Sequence, residues 1–409
     1  MSGVDSAQYT HVDGGIAAAA GFVCAGVHCG LKPQGRKDVA LVVASGEAAS
    51  AAAVFTTNLV AAAPVVVSKQ HMQGGRCKAV VINAGCANAC TGAAGIEDAR
   101  ATARAVAARL GCDEREIAVC STGVIGVPLP IEKVLAGIEA AVGELASSNG
   151  GAAAEAMMTT DTFPKQAAIS FDLDGVTITV GGMAKGSGMI APNMATMLGV
   201  ITTDAALDAA ACDAILRCAA DRTFNRVTVD SDTSTNDTLV LMASGAAGGP
   251  TIGVQDAGFS VLADAVEVVC GDLARMLARD GEGATKLVTV EIRGASTEAD
   301  AVLAARTVAD SPLVKTAIFG RDANWGRVAA AVGRSGARLD PDALAIRFAG
   351  IEVCIHGTAV GFDEGEAAEA LSQAEVTIEV DLGVGDAGAT VLTCDLSYDY
   401  VRINGDYRS

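Results

Sequence analysis

Short apolar segments with a period of two alternate with longer segments of helical periodicity along most of this 409-residue chain. Strands that alternate with helices, with hairpins between some of them, are typical of a mixed sheet covered by helices. Asp174-Gly175 is a hairpin signal between two of the strands. The predicted strands are Val39–Ala44, Val65–Ser68, Lys78–Ile82, Ile117–Cys120, Ala167–Phe171, Val176–Val180, Leu287–Ile292, Ala345–Phe348, Val353–His356, Val376–Val380 and Thr390–Cys394. The predicted helices are Ile96–Leu110, Ile131–Ala146, Asp204–Asp221, Gly258–Ala278, Glu298–Val308 and Asn324–Val332.

The composition is that of a folded globular protein, with 51% hydrophobic and 19% charged residues. Only 3% of the residues are aromatic, so the core must be built from Ala, Val, Ile and Leu. Past Glu282 the pattern changes to mostly strands. We therefore predict a larger catalytic domain over residues 1–285 and a smaller α/β C-terminal domain over residues 286–409.

The net charge of −19 argues against a nucleic-acid partner, because phosphate contacts need clustered Lys and Arg. The segment Gly14–Leu31 lacks charged residues, but it is mostly Ala and Gly and contains His28. Acidic residues precede this segment where a secretory signal would carry basic ones. These features predict a folded N-terminus in a cytoplasmic protein that does not insert into a membrane.

The cysteine and acidic residues do not form a recognisable metal site. None of the spacings among the twelve cysteines repeats as a zinc site requires. Asp230, Asp232 and Asp237 resemble a calcium loop, but Leu241 stands where an EF-hand has its glutamate. We therefore predict no metal, and interpret the acidic stretch as a structural or pocket-lining segment.

Two other catalytic patterns occur in the sequence. A Cys–His pair, formed by His28 with Cys29 or by Cys86 with a distant histidine, stays open as an alternative nucleophile. Gly186–Ala191 satisfies the G-x-G-x-x-A dinucleotide pattern. The twelve residues from Pro192 to Thr203 are too few for the crossover helix and strand that such a site requires.

The segment Lys185–Gly199 is rich in glycine and apolar residues and contains the pair Ala195-Thr196. If the bond between these two residues were cut, Thr196 would carry a hydroxyl nucleophile and a free α-amine. An α-amine titrates near ~7.7–8.0, which suits a general base. A threonine in an apolar run is more often a packed core residue, so the residues alone leave both interpretations open.

A resemblance to a known family favours the catalytic interpretation of Thr196 over the structural one. Segment 185–199 and a series of islands in the same order resemble the ornithine acetyltransferase (glutamate N-acetyltransferase) family of arginine biosynthesis. The islands span nearly the whole chain and are 38–43, 54–58, 83–92, 121–126, 158–162, 228–237, 280–286, 315–320, 324–327 and 403–409.

The resemblance implies a layered, mixed-sheet α/β fold of the N-terminal-nucleophile type. It implies self-cleavage between Ala195 and Thr196 into chains 1–195 and 196–409, which stay associated, with two copies of each in a heterotetramer. Thr196 would then be the nucleophile. Thr122 and Gly123 match the pair that forms the oxyanion hole, where a hydroxyl and a backbone N–H can meet developing negative charge.

The family's substrate-binding positions also have counterparts in this sequence. They are Thr159, Lys185, Thr196, Glu282, Asn404 and Ser409. Lys185 suits the α-carboxylate that N2-acetylornithine and glutamate share, and Glu282 can meet an ammonium group. The family commonly ends in threonine, whereas this chain ends in Ser409, which keeps the hydroxyl and loses a methyl group.

The implied activity is acetyl transfer from N2-acetylornithine to glutamate through an acetyl-Thr196 intermediate, without a cofactor. Whether acetyl-CoA is a second donor stays open. The alternative function is an N-terminal-nucleophile aminopeptidase or amidase, in which water takes the acyl group.

Overall fold

The computed structural model describes residues 9–191 and 197–406. The strands are β1 (Thr10–His11), β2 (Phe22–Val27), β3 (Val39–Ala44), β4 (Ala49–Phe55), β5 (Arg76–Cys77), β6 (Ala79–Cys86), β7 (Ile117–Val124), β8 (Lys165–Leu173), β9 (Val176–Lys185), β10 (Leu198–Thr203), β11 (Thr238–Ala243), β12 (Leu287–Ala295), β13 (Ala345–Phe348), β14 (Ile351–Ile355), β15 (Thr358–Ala359), β16 (Glu375–Asp381) and β17 (Ala387–Cys394). The α-helices are α1 (Ala63–His71), α2 (Gly92–Leu110), α3 (Ile131–Gly143), α4 (Gly150–Met157), α5 (Ala209–Arg222), α6 (Gly258–Arg279), α7 (Glu298–Ala309), α8 (Pro312–Phe319), α9 (Trp325–Gly333), α10 (Glu364–Ala370) and α11 (Tyr398–Asp406).

These strands form three mixed sheets. The seven-stranded sheet has the order β1-β8-β9-β10-β11-β4-β5, with β10 and β11 parallel. The four-stranded sheet has the order β2-β3-β6-β7, with β6 and β7 parallel. The six-stranded sheet has the order β15-β14-β13-β16-β12-β17, with β12 and β16 parallel.

The four-stranded and seven-stranded sheets pack against each other. Val42 and Ile82 of the first sheet share one buried core with Val200 and Val240 of the second. Helices α2 and α3 cover the outer face of the four-stranded sheet, and α5 and α6 cover the outer face of the seven-stranded sheet. The result is a helix–sheet–sheet–helix stack, so the predicted layered, mixed-sheet α/β fold is confirmed.

The six-stranded sheet takes all its strands from residues 287–394. Helices α7, α8, α9 and α10 pack on it around a core of its own. The boundary that the sequence predicts at residue 285 lies shortly before the first of these strands. In the described part of the chain, no helix is long and apolar enough to cross a membrane.

The structure corrects three local predictions. Residues 65–68 lie in helix α1 and not in a strand, because Pro64 occupies the first helical turn. Helix α5 begins after Asp208, whose side chain accepts a hydrogen bond from the backbone N–H of Ala211. Asp204 instead accepts hydrogen bonds from the loop at Ala20 and from strand β9. Helix α3 ends at Gly143, before the predicted end at residue 146.

Candidate active site

An open cleft of about 670 Å³ lies where the ends of the four-stranded and seven-stranded sheets meet. Among the residues that line it are six that the sequence predicts: Thr122, Gly123, Thr159, Lys185, Glu282 and Asn404. Ala195, Thr196 and Ser409 lie outside the described residues. Met197, the chain neighbour of Thr196, also lines the cleft.

Thr122 and Gly123 lie near the end of β7, which runs parallel to β6. Gly123 has a φ of 126°, in the region that favours glycine. A Cβ added at Gly123 would lie 2.4 Å from the carbonyl carbon of Gly85 on β6. A side chain is therefore excluded at position 123, and the backbone can approach a bound group closely.

Lys185 ends strand β9 and stands opposite Leu198, the first residue of β10. Its side chain is buried, and Nζ lies 3.3 Å from the hydroxyl oxygen of Thr122. Burial lowers the pKa of the Lys185 ammonium, while the carboxylate of Asp161 acts in the opposite direction. The two predicted residues Thr122 and Lys185, which belong to different sheets, are thus in direct contact.

A buried ion cluster lies beneath this contact. The ammonium of Lys165 is fully buried, 2.6 Å from Asp161 Oδ1 and 2.5 Å from Asp280 Oδ2. Burial alone raises the pKa of Asp161, but the ammonium groups of Lys185 and Lys165 outweigh it and hold the pKa below its usual range. The roles of these residues are not visible in the sequence, although Asp161 and Asp280 belong to islands of the family resemblance.

Asp161 also fixes two loops that line the cleft. Its carboxylate accepts a hydrogen bond of 2.8 Å from the backbone N–H of Thr159 and one of 2.7 Å from that of Gly186. The hydroxyls of Thr160 and Ser187 join the same two loops at 2.6 Å. The Asp161 carboxylate therefore fixes the positions of Thr159 and of Lys185, the residue before Gly186.

Glu282 lies on the turn after α6 and is 8% exposed. Its backbone N–H donates to the carbonyl of Ser187 over 2.8 Å, and its carboxylate accepts from the side-chain amide of Asn404. Asn404 lies on α11, near the end of the chain. A Cβ added at Gly188 would lie 2.4 Å from Glu282 Oε2, so the backbone at Gly188 passes directly over this carboxylate.

The acidic residues of the stretch 230–237 do not form one cluster, because Asp230 and Asp237 have different contacts. The carboxylate of Asp230 accepts hydrogen bonds from the backbone N–H groups of Met189 and Ile190. Asp237 lines the cleft, and burial raises its pKa well above the usual range. One of its carboxyl oxygens, Oδ2, has no hydrogen-bond partner among the described residues. Within residues 9–191 and 197–406, no three His, Cys, Asp or Glu side chains are placed to hold a metal ion.

The structure does not favour the other catalytic patterns. Burial raises the pKa of Cys29 to about 12 and also raises the pKa of Cys86, which opposes formation of a reactive thiolate. Strands β9 and β10, on either side of the Gly186–Ala191 segment, are antiparallel. A dinucleotide site of the G-x-G-x-x-A type requires parallel strands joined by a helix.

Comparison with known proteins agrees with the motifs. Residues 23–409 match the model of the ArgJ family. The arginine biosynthesis bifunctional protein ArgJ of Symbiobacterium thermophilum is 53% identical over 398 residues, which cover 97% of this chain and 99% of that protein. The protein of the same name from Mycobacterium tuberculosis is 49% identical and covers 97% and 96%, respectively.

A crystal structure of ornithine acetyltransferase from M. tuberculosis, in complex with ornithine, has 47% identity and a TM-score of 0.43, covering 45% of this chain and 98% of that one. The family match and the two relatives each extend over nearly the whole chain. The chain therefore belongs to the ArgJ family of acetyltransferases, as its sequence motifs predict.

Proposed function

We propose that this protein transfers the acetyl group of N2-acetylornithine to glutamate, giving ornithine and N-acetylglutamate. The observation that carries the proposal is the convergence of Thr122, Gly123, Lys185 and Glu282 on one cleft beside Met197. These residues come from both packed sheets and from the turn after α6. The relatives' name, which refers to arginine biosynthesis, supports the same assignment.

Thr196 is the proposed nucleophile. Cleavage of the bond between Ala195 and Thr196 would leave Thr196 with both a hydroxyl and a free α-amine, a nucleophile and its own base. The chain continues directly into Met197 and then into β10, which starts opposite Lys185. The new N-terminus is therefore bonded to a residue of the cleft wall.

The proposed reaction has two half-reactions. Thr196 Oγ attacks the acetyl carbonyl carbon, and the α-amine takes the hydroxyl proton. The Thr122 hydroxyl and the Gly123 N–H stabilise the oxyanion of the tetrahedral intermediate. When the C–N bond breaks, the proton passes to the nitrogen of ornithine, which leaves. The amine of glutamate then attacks the ester, and Oγ of Thr196 leaves with a proton.

The charges in the cleft suit the substrates of this reaction. N2-acetylornithine carries an α-carboxylate and a side-chain ammonium, since its α-nitrogen is acetylated. Lys185 and Thr159 would bind the carboxylate, and Glu282 would bind the ammonium. Asn404 contacts Glu282 over 2.8 Å and would position it, and Ser409 is proposed as a further contact at the end of the chain.

The finer features of the family are part of the same proposal. They include a heterotetramer of two 1–195 and two 196–409 chains, a cytoplasmic location, a catalytic domain ending near residue 285 and acetyl-CoA as a second donor. None of the proposed steps requires a cofactor, because the amide of acetylornithine is itself the acetyl donor.

The purified protein should be assayed with glutamate and either N2-acetylornithine or acetyl-CoA. Formation of N-acetylglutamate from acetylornithine supports the proposal, and formation from acetyl-CoA adds the second donor. Release of acetate without N-acetylglutamate would support the amidase alternative. Failure to consume acetylornithine in either assay would contradict the proposed function.

A further inference from the structure

The hydrogen bond between Lys185 and Thr122 fixes the direction of a proton. Nζ of Lys185 lies 3.3 Å from Oγ1 of Thr122. A lysine ammonium has three donors and no acceptor, so the threonine oxygen must accept this hydrogen bond. The hydroxyl proton of Thr122 then points away from Lys185.

We propose that Lys185 is a positioning residue that acts through Thr122, orienting the threonine O–H so that it donates into the cleft. This inference rests on the proposed function, in which Thr122 stabilises the oxyanion. The Lys185 ammonium then has two roles. It binds the substrate carboxylate, and it orients the Thr122 hydroxyl in the transition state. A hydrogen bond received from a charged donor also makes the threonine hydroxyl a stronger donor.

The Thr122 hydroxyl is oriented by one side chain within residues 9–191 and 197–406. Among the residues that the structure describes, Lys185 is the side chain that is hydrogen-bonded to Thr122 Oγ1. A neutral amine at this position would have a lone pair, and could accept the threonine proton instead of donating to its oxygen. The direction of the hydroxyl therefore depends on the charge of Lys185.

Burial and neighbouring groups act in opposite directions on the charge of Lys185, with a lowered pKa as the result. The charged or titratable groups that face it are the carboxyls of Asp161, Asp237 and Glu282 and the ammonium groups of Lys165 and Lys32. The carboxylate of Asp161 is fixed by the backbone N–H of Gly186, the residue after Lys185. The acidic groups favour the ammonium form, and burial and the two lysines oppose it.

A double-mutant cycle tests the inference. The variants are Thr122→Ala, Lys185→Met and the double variant, each assayed for kcat with saturating acetylornithine and glutamate. Methionine has a similar volume to lysine and no donor. Lys185→Met should lower kcat about tenfold, the difference between a charged and a neutral hydrogen bond. In the Thr122→Ala background the same change should leave kcat nearly unaltered.

Additive losses of kcat would overturn the inference, because they would mean that Lys185 acts independently of Thr122. The KM of each substrate should rise in both backgrounds, since binding of the carboxylate does not need the threonine. The matched control is Lys315→Met, which removes another buried lysine that donates to a threonine hydroxyl, at 2.8 Å from Thr393 Oγ1. Its effect on kcat should be the same with and without Thr122.

The pH profile gives a second measurement that does not need a Lys185 variant to fold. As pH rises through the lowered pKa of Lys185, the ammonium loses its proton, so kcat of the wild type should fall on the alkaline side. This fall should be absent in Thr122→Ala, and an identical fall in both proteins would overturn the inference. Failure of the wild type to form an acetyl-enzyme would instead remove the proposed function on which the inference rests.

Discussion

The side-chain amide of Asn404 donates to the carboxylate of Glu282, with 2.8 Å between Nδ2 and Oε2. This contact joins helix α11, near the end of the chain, to the turn after α6. The two segments are close along their backbones as well, because a Cβ added at Gly283 would lie 2.4 Å from the backbone nitrogen of Tyr400. Helix α11 is therefore part of the cleft wall and holds the Glu282 carboxylate in place.

Glu282→Gln should raise the KM for N2-acetylornithine roughly 10–100-fold, the value of a charged hydrogen bond. Glutamine keeps the shape and loses the charge that would meet the side-chain ammonium of acetylornithine. Glutamate has no such ammonium, so its KM should change little or fall. Steady-state kinetics with each substrate varied in turn will measure the two KM values separately.

The control for this prediction is Asn404→Ala, which removes the amide and keeps the carboxylate charge. It should raise the KM for N2-acetylornithine by a smaller factor and leave the KM for glutamate nearly unchanged, because Asn404 acts through Glu282. Equal effects of Glu282→Gln on the two substrates would contradict the proposed contact with the ammonium group.

Much of the fold follows from the sequence, because the apolar periodicity of long elements is a local signal. Helix α2 ends at Leu110 before Gly111, as predicted, and the hairpin of β8 and β9 turns at Asp174-Gly175. Residues 65–68 lie in a helix where the sequence predicts a strand, because so short an apolar run fits either period. The packing of two sheets face to face depends on contacts distant in the chain, which local patterns do not contain.

For the site, motif resemblance selected residues that the structure brings together, such as Thr122, Lys185 and Glu282. It gave no role to Lys165 and Asp161, which form the buried cluster below the cleft. A buried lysine and an exposed lysine look the same in a single sequence. Their burial and pairing are decided by tertiary packing, so only the structure could identify this cluster.

Self-cleavage should give two fragments, 1–195 and 196–409, the second beginning Thr-Met-Leu-Gly. Thr196→Ala removes the hydroxyl that would attack the Ala195 carbonyl, so it should leave one intact chain on a denaturing gel. Thr316→Ala, on the exposed side of α8, is a control that should be cleaved normally. An N-terminal sequence that starts elsewhere, or an active uncut chain, would disprove this prediction.

A covalent acetyl-enzyme requires ping-pong kinetics. Double-reciprocal plots for acetylornithine and glutamate should therefore give parallel lines. Mass spectrometry after incubation with acetylornithine alone should find one added acetyl group on the fragment that begins at Thr196. Intersecting lines without a mass shift would indicate direct transfer between bound substrates.

Thr122→Ala should lower kcat by roughly 10²–10³ with little change in KM, because the lost donor meets charge that develops in the transition state. Lys185→Ala should raise KM by a larger factor than it lowers kcat, because the substrate carboxylate is bound in the ground and transition states alike. Both are measured by steady-state kinetics. An increase of KM alone in Thr122→Ala would place Thr122 among the binding residues.

Removal of the buried ammonium of Lys165 should destabilise the protein strongly. Lys165→Met leaves the carboxylates of Asp161 and Asp280 buried without their shared partner, which typically costs about 3–5 kcal/mol. The free energy of unfolding should be measured by urea denaturation at pH 7 in a Thr196→Ala background, so that one covalent chain unfolds. Lys37→Met, which breaks the exposed pair with Glu155, is the control and should cost about 0–1 kcal/mol.

The pH dependence of this loss distinguishes an electrostatic cause from a packing defect. In the wild type, the lowered pKa of Asp161 contributes stability that is present above the unfolded pKa of ~3.9 and is lost as pH falls toward the folded value. Without Lys165, burial is opposed mainly by Lys185, so the pKa of Asp161 should be less strongly lowered and less of this stability should be present. The difference in unfolding free energy between Lys165→Met and its parent should therefore be largest near pH 7 and shrink as the pH falls through the unfolded pKa of the carboxyl group. A difference that stays constant over this range would mean that Lys165 stabilises the protein by packing alone.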